Sequence, residues 1–160
     1  MATSSASILR IDRTLNKFSQ ACVVILSAAA FLTNQAFIVP IAALCLAISA
    51  LAPTVSPFRL LYRGVFVPLR LLKPHPVEDD PAPHHFAQGV GAVFMVASTL
   101  VLYLTPLKAL GWGLDLVVFV LAGINFSIGF CAGCFVYYHL GRIGMMPRVR
   151  YEGAFHWRGV

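Results

Sequence analysis

Four stretches of this sequence are too long and too apolar to lie in water: Phe18 to Thr33, Ile38 to Val55, Phe86 to Leu104 and Leu114 to Tyr138. A hydrocarbon core about 30 Å thick is crossed by roughly 20 apolar residues rising 1.5 Å each. Inside it every backbone polar group has to be satisfied within the segment, so runs of this kind are helical. The sequence therefore predicts an all-α membrane protein with four transmembrane helices. The first run supplies only about 22 Å of apolar helix, so it must borrow flanking residues or let Lys17 snorkel. Pro40 is tolerated in the opening turn of the second. Thr105-Pro106 closes the third, and Trp112, Tyr137 and Tyr138 flank the fourth as interfacial aromatics do.

Charged residues make up 11% of the chain, against about 25% in an average globular protein, too few to cover a water-facing surface. The net charge of +6 does not mark a nucleic-acid binder. The basic residues border apolar runs and form no stripe with aromatics suited to stacking bases; anionic lipid headgroups are the expected partner. No A-x-A-like cleavage site is found around the first run, so its helix is expected to remain as an anchor. Residues 1–9 read as a flexible N-terminus, 10–140 as the membrane domain, and 141–160 as a basic cytoplasmic tail.

Orientation follows from the basic residues. Arg10, Arg13 and Lys17 precede the first run; Arg59, Arg63, Arg70 and Lys73 separate the second from the third; Arg142, Arg148, Arg150 and Arg158 follow the fourth. The two short turns hold only Lys108. The positive-inside rule thus predicts two hairpins entering from the cytoplasm, with both termini and the central loop on that side. Phe18-Ser19-Gln20-Ala21 and Phe86-Ala87-Gln88-Gly89 open the two hairpins. A parallel repeat about an axis along the membrane normal is one explanation, and chance likeness of two apolar helices is the other.

Between the hairpins, residues 57–73 predict an amphipathic interfacial helix kinked at Pro68. Arg59, Arg63, Arg70 and Lys73 fall on one face, expected to meet lipid headgroups, with Phe58, Leu61, Tyr62 and Phe66 among the apolar remainder. The rival reading is an irregular extension of the second span. Residues 74–83, rich in proline and acid, read as a stiff connector.

Covalent chemistry has one candidate, the pair Cys131 and Cys134 in Gly129-Phe130-Cys131-Ala132-Gly133-Cys134. On a continuous fourth helix the two thiols share a face near its cytoplasmic end. Gly129 and Gly133 form a G-x-x-x-G pair on the opposite side, suited to close helix packing. A redox pair exchanging with a cytoplasmic thiol or sulfur-carrying protein is one reading, with Cys131 expected to hold a trapped adduct. Small residues packing a helix interface is the other. Against exchange stands the helix C-terminus, whose dipole disfavours thiolate, and the resistance of an intact helix to an i, i+3 disulfide. Two thiolates also lack the two further ligands of a closed zinc site: His139, Cys22 and the pair His84-His85 are distant in sequence, and the His pair reads as solvated. No metal and no cofactor is therefore assigned. Gln20, Gln88 and Asn125 are polar residues inside apolar spans, read as helix glue or as the lining of a small pocket near the thiols. No acid or base lies near the centre of a span, Asp115 being close to the outer edge, which disfavours a proton-coupled pump.

Taken together, Phe18-x-Gln20, Ser56-Pro57-Phe58-Arg59-x-x-Tyr62-Arg63, Asp80-Pro81, Phe86-Ala87-Gln88 and Gly129-Phe130-Cys131-x-Gly133-Cys134 resemble the bacterial family of domain of unknown function 4395, over about residues 10 to 140. The resemblance implies a four-helix protein of the bacterial inner membrane, with thioredoxin-like or rhodanese-type sulfurtransferase proteins as partners, and assigns no catalytic residue. Three function classes follow: thiol or sulfur handling through Cys131 and Cys134, a small carrier for a sulfur compound or anion built as a homo-oligomer, or an assembly subunit without chemistry.

Overall fold

The structure, a computed structural model, describes residues 10–78 and 80–145. The N-terminal segment 1–9 and the tail beyond Met145 lie outside the described residues. The chain forms α1 (Arg13–Thr33), α2 (Ile38–Leu51), α3 (Pro57–Leu61), α4 (Pro81–Leu104), α5 (Lys108–Ile128) and α6 (Ala132–Ile143). Two short strands, β1 (Arg10–Asp12) and β2 (Pro76–Glu78), pair antiparallel. The fold is thus helical as expected, with one small β ribbon that the proline-rich connector did not suggest. Helices α1, α4 and α5 are long and apolar enough to cross a membrane, making this a multi-pass membrane protein.

Helix ends depart from expectation where local chemistry overrides apolar periodicity. The second helix stops at Leu51 rather than Val55, because Pro53 disfavours the helical conformation at Ala52, which sits at φ −135°, ψ 70°. The third span begins at Pro81 rather than Phe86: Asp80 caps it, its carboxylate accepting from the Ala82 N–H at 2.9 Å, with Pro81 in the first turn. The expected span 114–138 is two helices. It starts early, at Lys108, and breaks after Ile128, where Gly129 takes a left-handed conformation (φ 73°) that only glycine adopts without cost.

Nor is 57–73 one helix. After α3 the turn widens over Tyr62–Phe66, so that the Val67 N–H reaches the Tyr62 carbonyl at 3.0 Å. Pro68 explains this, having no N–H to give and a ring that crowds the carbonyl four residues back. The segment closes in a Schellman turn, Leu71 N–H to Phe66 O at 3.1 Å and Arg70 N–H to Val67 O at 3.0 Å, with Arg70 left-handed at φ 53°. Lys73 lies beyond it in irregular chain.

Four helices close a ring in which α1 packs on α2, α2 on α4, α4 on α5 and α5 on α1. The core is built of small side chains, Ala30, Ala42, Ala43, Ala92 and Ala122, around Val39 and Met95, which lets the backbones approach closely. Asp115 is 1% exposed, about 10 Å into α5, and faces Ser27 of α1. Beneath the ring, α3 packs on α1 and α2, and α6 packs on α4.

Candidate functional site: a dithiol at a helix break

The break after Ile128 decides the character of the cysteine pair. Gly129 ends α5, its N–H on the Asn125 carbonyl at 3.0 Å. Cys131 is extended (φ −95°, ψ 101°) and occupies the N-cap of α6. Its carbonyl accepts from the Phe135 N–H at 3.0 Å, and its Sγ accepts from the Cys134 N–H at 3.2 Å. The thiols therefore sit at the start of a helix, reversing the expected position at a C-terminus. Here the positive end of the dipole and the Cys134 N–H favour negative charge on sulfur. The break also removes the obstacle to ring closure: Cys131 and Cys134 are joined as a disulfide with Cα atoms 5.2 Å apart, within the normal span of such bonds.

Contacts with α4 hold this turn in place. A Cβ built on Gly133 would lie 2.7 Å from the Ala87 Cα, so the two backbones touch there. The tilted rings of Phe86 and Tyr137 meet with centres 5.4 Å apart, and Cys134 Sγ stands 3.8 Å from His84 Nδ1. A Cβ on Gly129, by contrast, would meet nothing within 4 Å; the role of this residue is conformational, and the two glycines do not form one packing face. Cys131 is 3% exposed, while Cys134 is more accessible.

Polar residues converge beneath Cys131. Gln20 of α1, Gln88 of α4 and Asn125 of α5 line a crevice of about 10 Å³ together with Asn16, His84 and Cys131, room for about one water. An apolar crevice of about 90 Å³ continues from it past Val23, Leu46 and Phe94. Among the described residues no three His, Cys, Asp or Glu side chains gather as a metal site: His139 meets Phe135 edge to face with ring centres 4.3 Å apart, and Cys22 and Cys45 are free thiols in α1 and α2.

The sequence pattern of a known family, described as domain of unknown function (DUF4395), matches residues 11–142. The chain belongs to this family. The matched DUF4395 domain runs from the start of the β ribbon to the last turn of α6, and so takes in the dithiol and every helix. No curated protein matches the chain. No solved structure matches it.

Of the DUF4395 residues singled out from sequence, the fold joins Cys131 to Cys134 and brings Arg59 and Arg63 to one cavity wall. Arg70 and Lys73 are elsewhere: Arg70 turns the chain, and Lys73 contributes its carbonyl to the Thr14 hydroxyl at 2.9 Å. His84 and His85 are not a solvated pair, since one meets Cys134 and the other lines the cavity. Nothing in sequence could have joined positions 84 and 134. Gly129 was legible as a helix stop, but glycine is common inside membrane helices.

Proposed function

We propose that this protein spans the bacterial inner membrane and exchanges thiols with a soluble thioredoxin-like or sulfurtransferase protein through Cys131 and Cys134. In this reading α2, short but apolar, is the fourth span. The two hairpins enter from the cytoplasm, and residues 57–73 lie along the inner leaflet. The observation that carries it is the N-cap geometry, with the Cys134 N–H on Cys131 Sγ.

Burial favours Cys134 as the sulfur attacked, not Cys131. A partner thiolate bonds to Cys134 Sγ as the Cys131–Cys134 bond breaks, and the electron pair leaves on Cys131, where the α6 N-terminus stabilises it. The partner's second thiolate then attacks the partner sulfur of the mixed disulfide and releases Cys134 as thiolate. The partner departs oxidised and this protein is left as a dithiol. The two protons shed by the partner end on Cys131 and Cys134, with His84 within reach of the latter.

The test is trapping in native membranes. Cys131→Ser should accumulate a mixed disulfide through Cys134, and Cys134→Ser should trap far less. After mild reduction the pair should alkylate from the cytoplasmic side, with Cys45 labelling slowly. If neither cysteine labels where an engineered loop cysteine does, the thiol reading fails. A second reading, an anion carrier, is favoured by the basic cavity described next.

A further inference from the structure

A cavity of about 460 Å³ lies between the first turns of α1, the end of α2, α3, the connector and the start of α4. Its volume is that of a small-molecule site, and a few polar groups converge in a largely apolar lining. Arg59 of α3 and Arg63 of the widened turn that follows it, four residues apart, line one wall, and Ser19, His85 and Gln88 add hydroxyl, imidazole and amide groups from α1 and α4. Among the described residues the charged and titratable side chains lining it are Arg59, Arg63, Asp12 and His85. The one acid among them is already engaged. Asp12 Oδ1 accepts from the N–H groups of Thr14 at 3.0 Å, Leu15 at 3.3 Å and His75 at 3.1 Å. Among the described residues Arg59 makes only a long 3.4 Å contact with the Pro53 carbonyl, which leaves most donors of the two guanidinium groups uncommitted to described acceptors in the cavity. Pro74, Pro76 and Pro81 also line it.

We propose that this cavity binds a molecule bearing an oxyanion group, a phosphate or sulfonate, held by Arg59 and Arg63. Guanidinium forks match such groups with paired charge-assisted hydrogen bonds. This reading is independent of the thiol chemistry. It differs from a diffuse attraction of basic residues to the membrane surface, because it separates Arg59 and Arg63 from Arg70 and Lys73. The same two arginines also border a recess of about 530 Å³ beside Thr54 and Gly64, so the oxyanion has two sources, a soluble metabolite or a lipid headgroup. Asn16 and Gln88 line both the cavity and the crevice at Cys131, so the two adjoin.

The experiment uses the full chain in nanodiscs. In phosphatidylcholine discs, glycerol 3-phosphate and sulfate are titrated by calorimetry. In a parallel arm, phosphatidylglycerol retained by the protein is measured by native mass spectrometry. A soluble ligand predicts saturable glycerol phosphate binding that weakens at least about tenfold in Arg59→Gln/Arg63→Gln and stays within about twofold in Arg70→Gln/Lys73→Gln. A headgroup predicts no such binding, but phosphatidylglycerol retention lost in the first variant and kept in the second. Arg59→Lys/Arg63→Lys keeps the charge, guards against a folding defect, and should weaken whichever signal is seen. No signal in either arm, or equal loss in both double variants, overturns the proposal.

Discussion

A Cβ built on Gly133 falls 2.5 Å from the Ala87 Cβ and 2.7 Å from its Cα, too close for any side chain to yield by rotating. Gly133→Ala should therefore push α6 off α4, costing about 3 kcal/mol, at the upper end of overpacking penalties. At Gly129 a Cβ meets nothing, and the penalty comes only from φ 73°. Gly129→Ala should thus cost about 1 kcal/mol. Thermal unfolding of both variants checks the order, and equal losses would mean that α6 is not held by backbone contact. These two glycines show what a residue pattern conveys and what it omits. G-x-x-x-G spacing on an assumed continuous helix put both on one face, opposite the thiols. Once the chain breaks between them, each acts alone. The cysteines were legible as the chemical candidates, because of the four in the sequence only these two stand close enough together to form a vicinal pair. Their position at a helix start was not, because it depends on the αL turn at Gly129.

At the level of elements, the widened turn after α3 is held to α1 by aromatic contact. Tyr62 is fully buried, its ring centre 5.7 Å from that of Phe18, which in turn lies 4.7 Å from Phe66. Burial, and then the charge of nearby Asp12, push the Tyr62 phenol above its ordinary pKa, so it stays neutral beside the arginines. Tyr62→Ala removes the buried ring and should cost about 3–5 kcal/mol. Tyr62→Phe keeps the ring and should cost far less. Limited trypsin digestion reads the difference, with cleavage at Arg59 or Arg63 rising sharply in the alanine variant only. Apolar periodicity located every long helix of this fold, since a bilayer admits little else. It misplaced their ends wherever a single residue governs: Pro53 stops α2, Asp80 starts α4, and Pro68 with Arg70 folds the expected surface helix back. The break between α5 and α6 was hidden because Phe130, Cys131, Ala132, Phe135 and Val136 continue the apolar run on both sides of it.

The whole molecule keeps its proposed sidedness despite that break. Helix α5 alone, at 21 residues, spans about 31 Å, enough for the hydrocarbon core. Helix α6 then need not cross anything, and with α2 as the proposed fourth span the count of crossings stays even. The contact of Gly133 with Ala87 lies about 9 Å from the start of α4, so α6 and the dithiol share the level at which the connector and the N-terminal ribbon meet. That ribbon ties Arg10–Asp12 to Pro76–Glu78, joining the first basic flank to the end of the central loop on one side of the bundle. On the other side Lys108, the basic residue that stands against eleven, is engaged locally, its Nζ donating to the Leu102 carbonyl at the α4–α5 turn. Its charge there acts as a cap on the last carbonyls of α4. A reporter fused after Val160 should therefore signal cytoplasm, and one inserted at residues 105–107 should signal the outer face. Lys108→Gln should leave both signals unchanged, because one charge cannot outweigh the cytoplasmic excess. An outward signal from the C-terminal fusion would invert the topology. It would also carry the dithiol to the oxidising face, where a soluble cytoplasmic partner could not reach it.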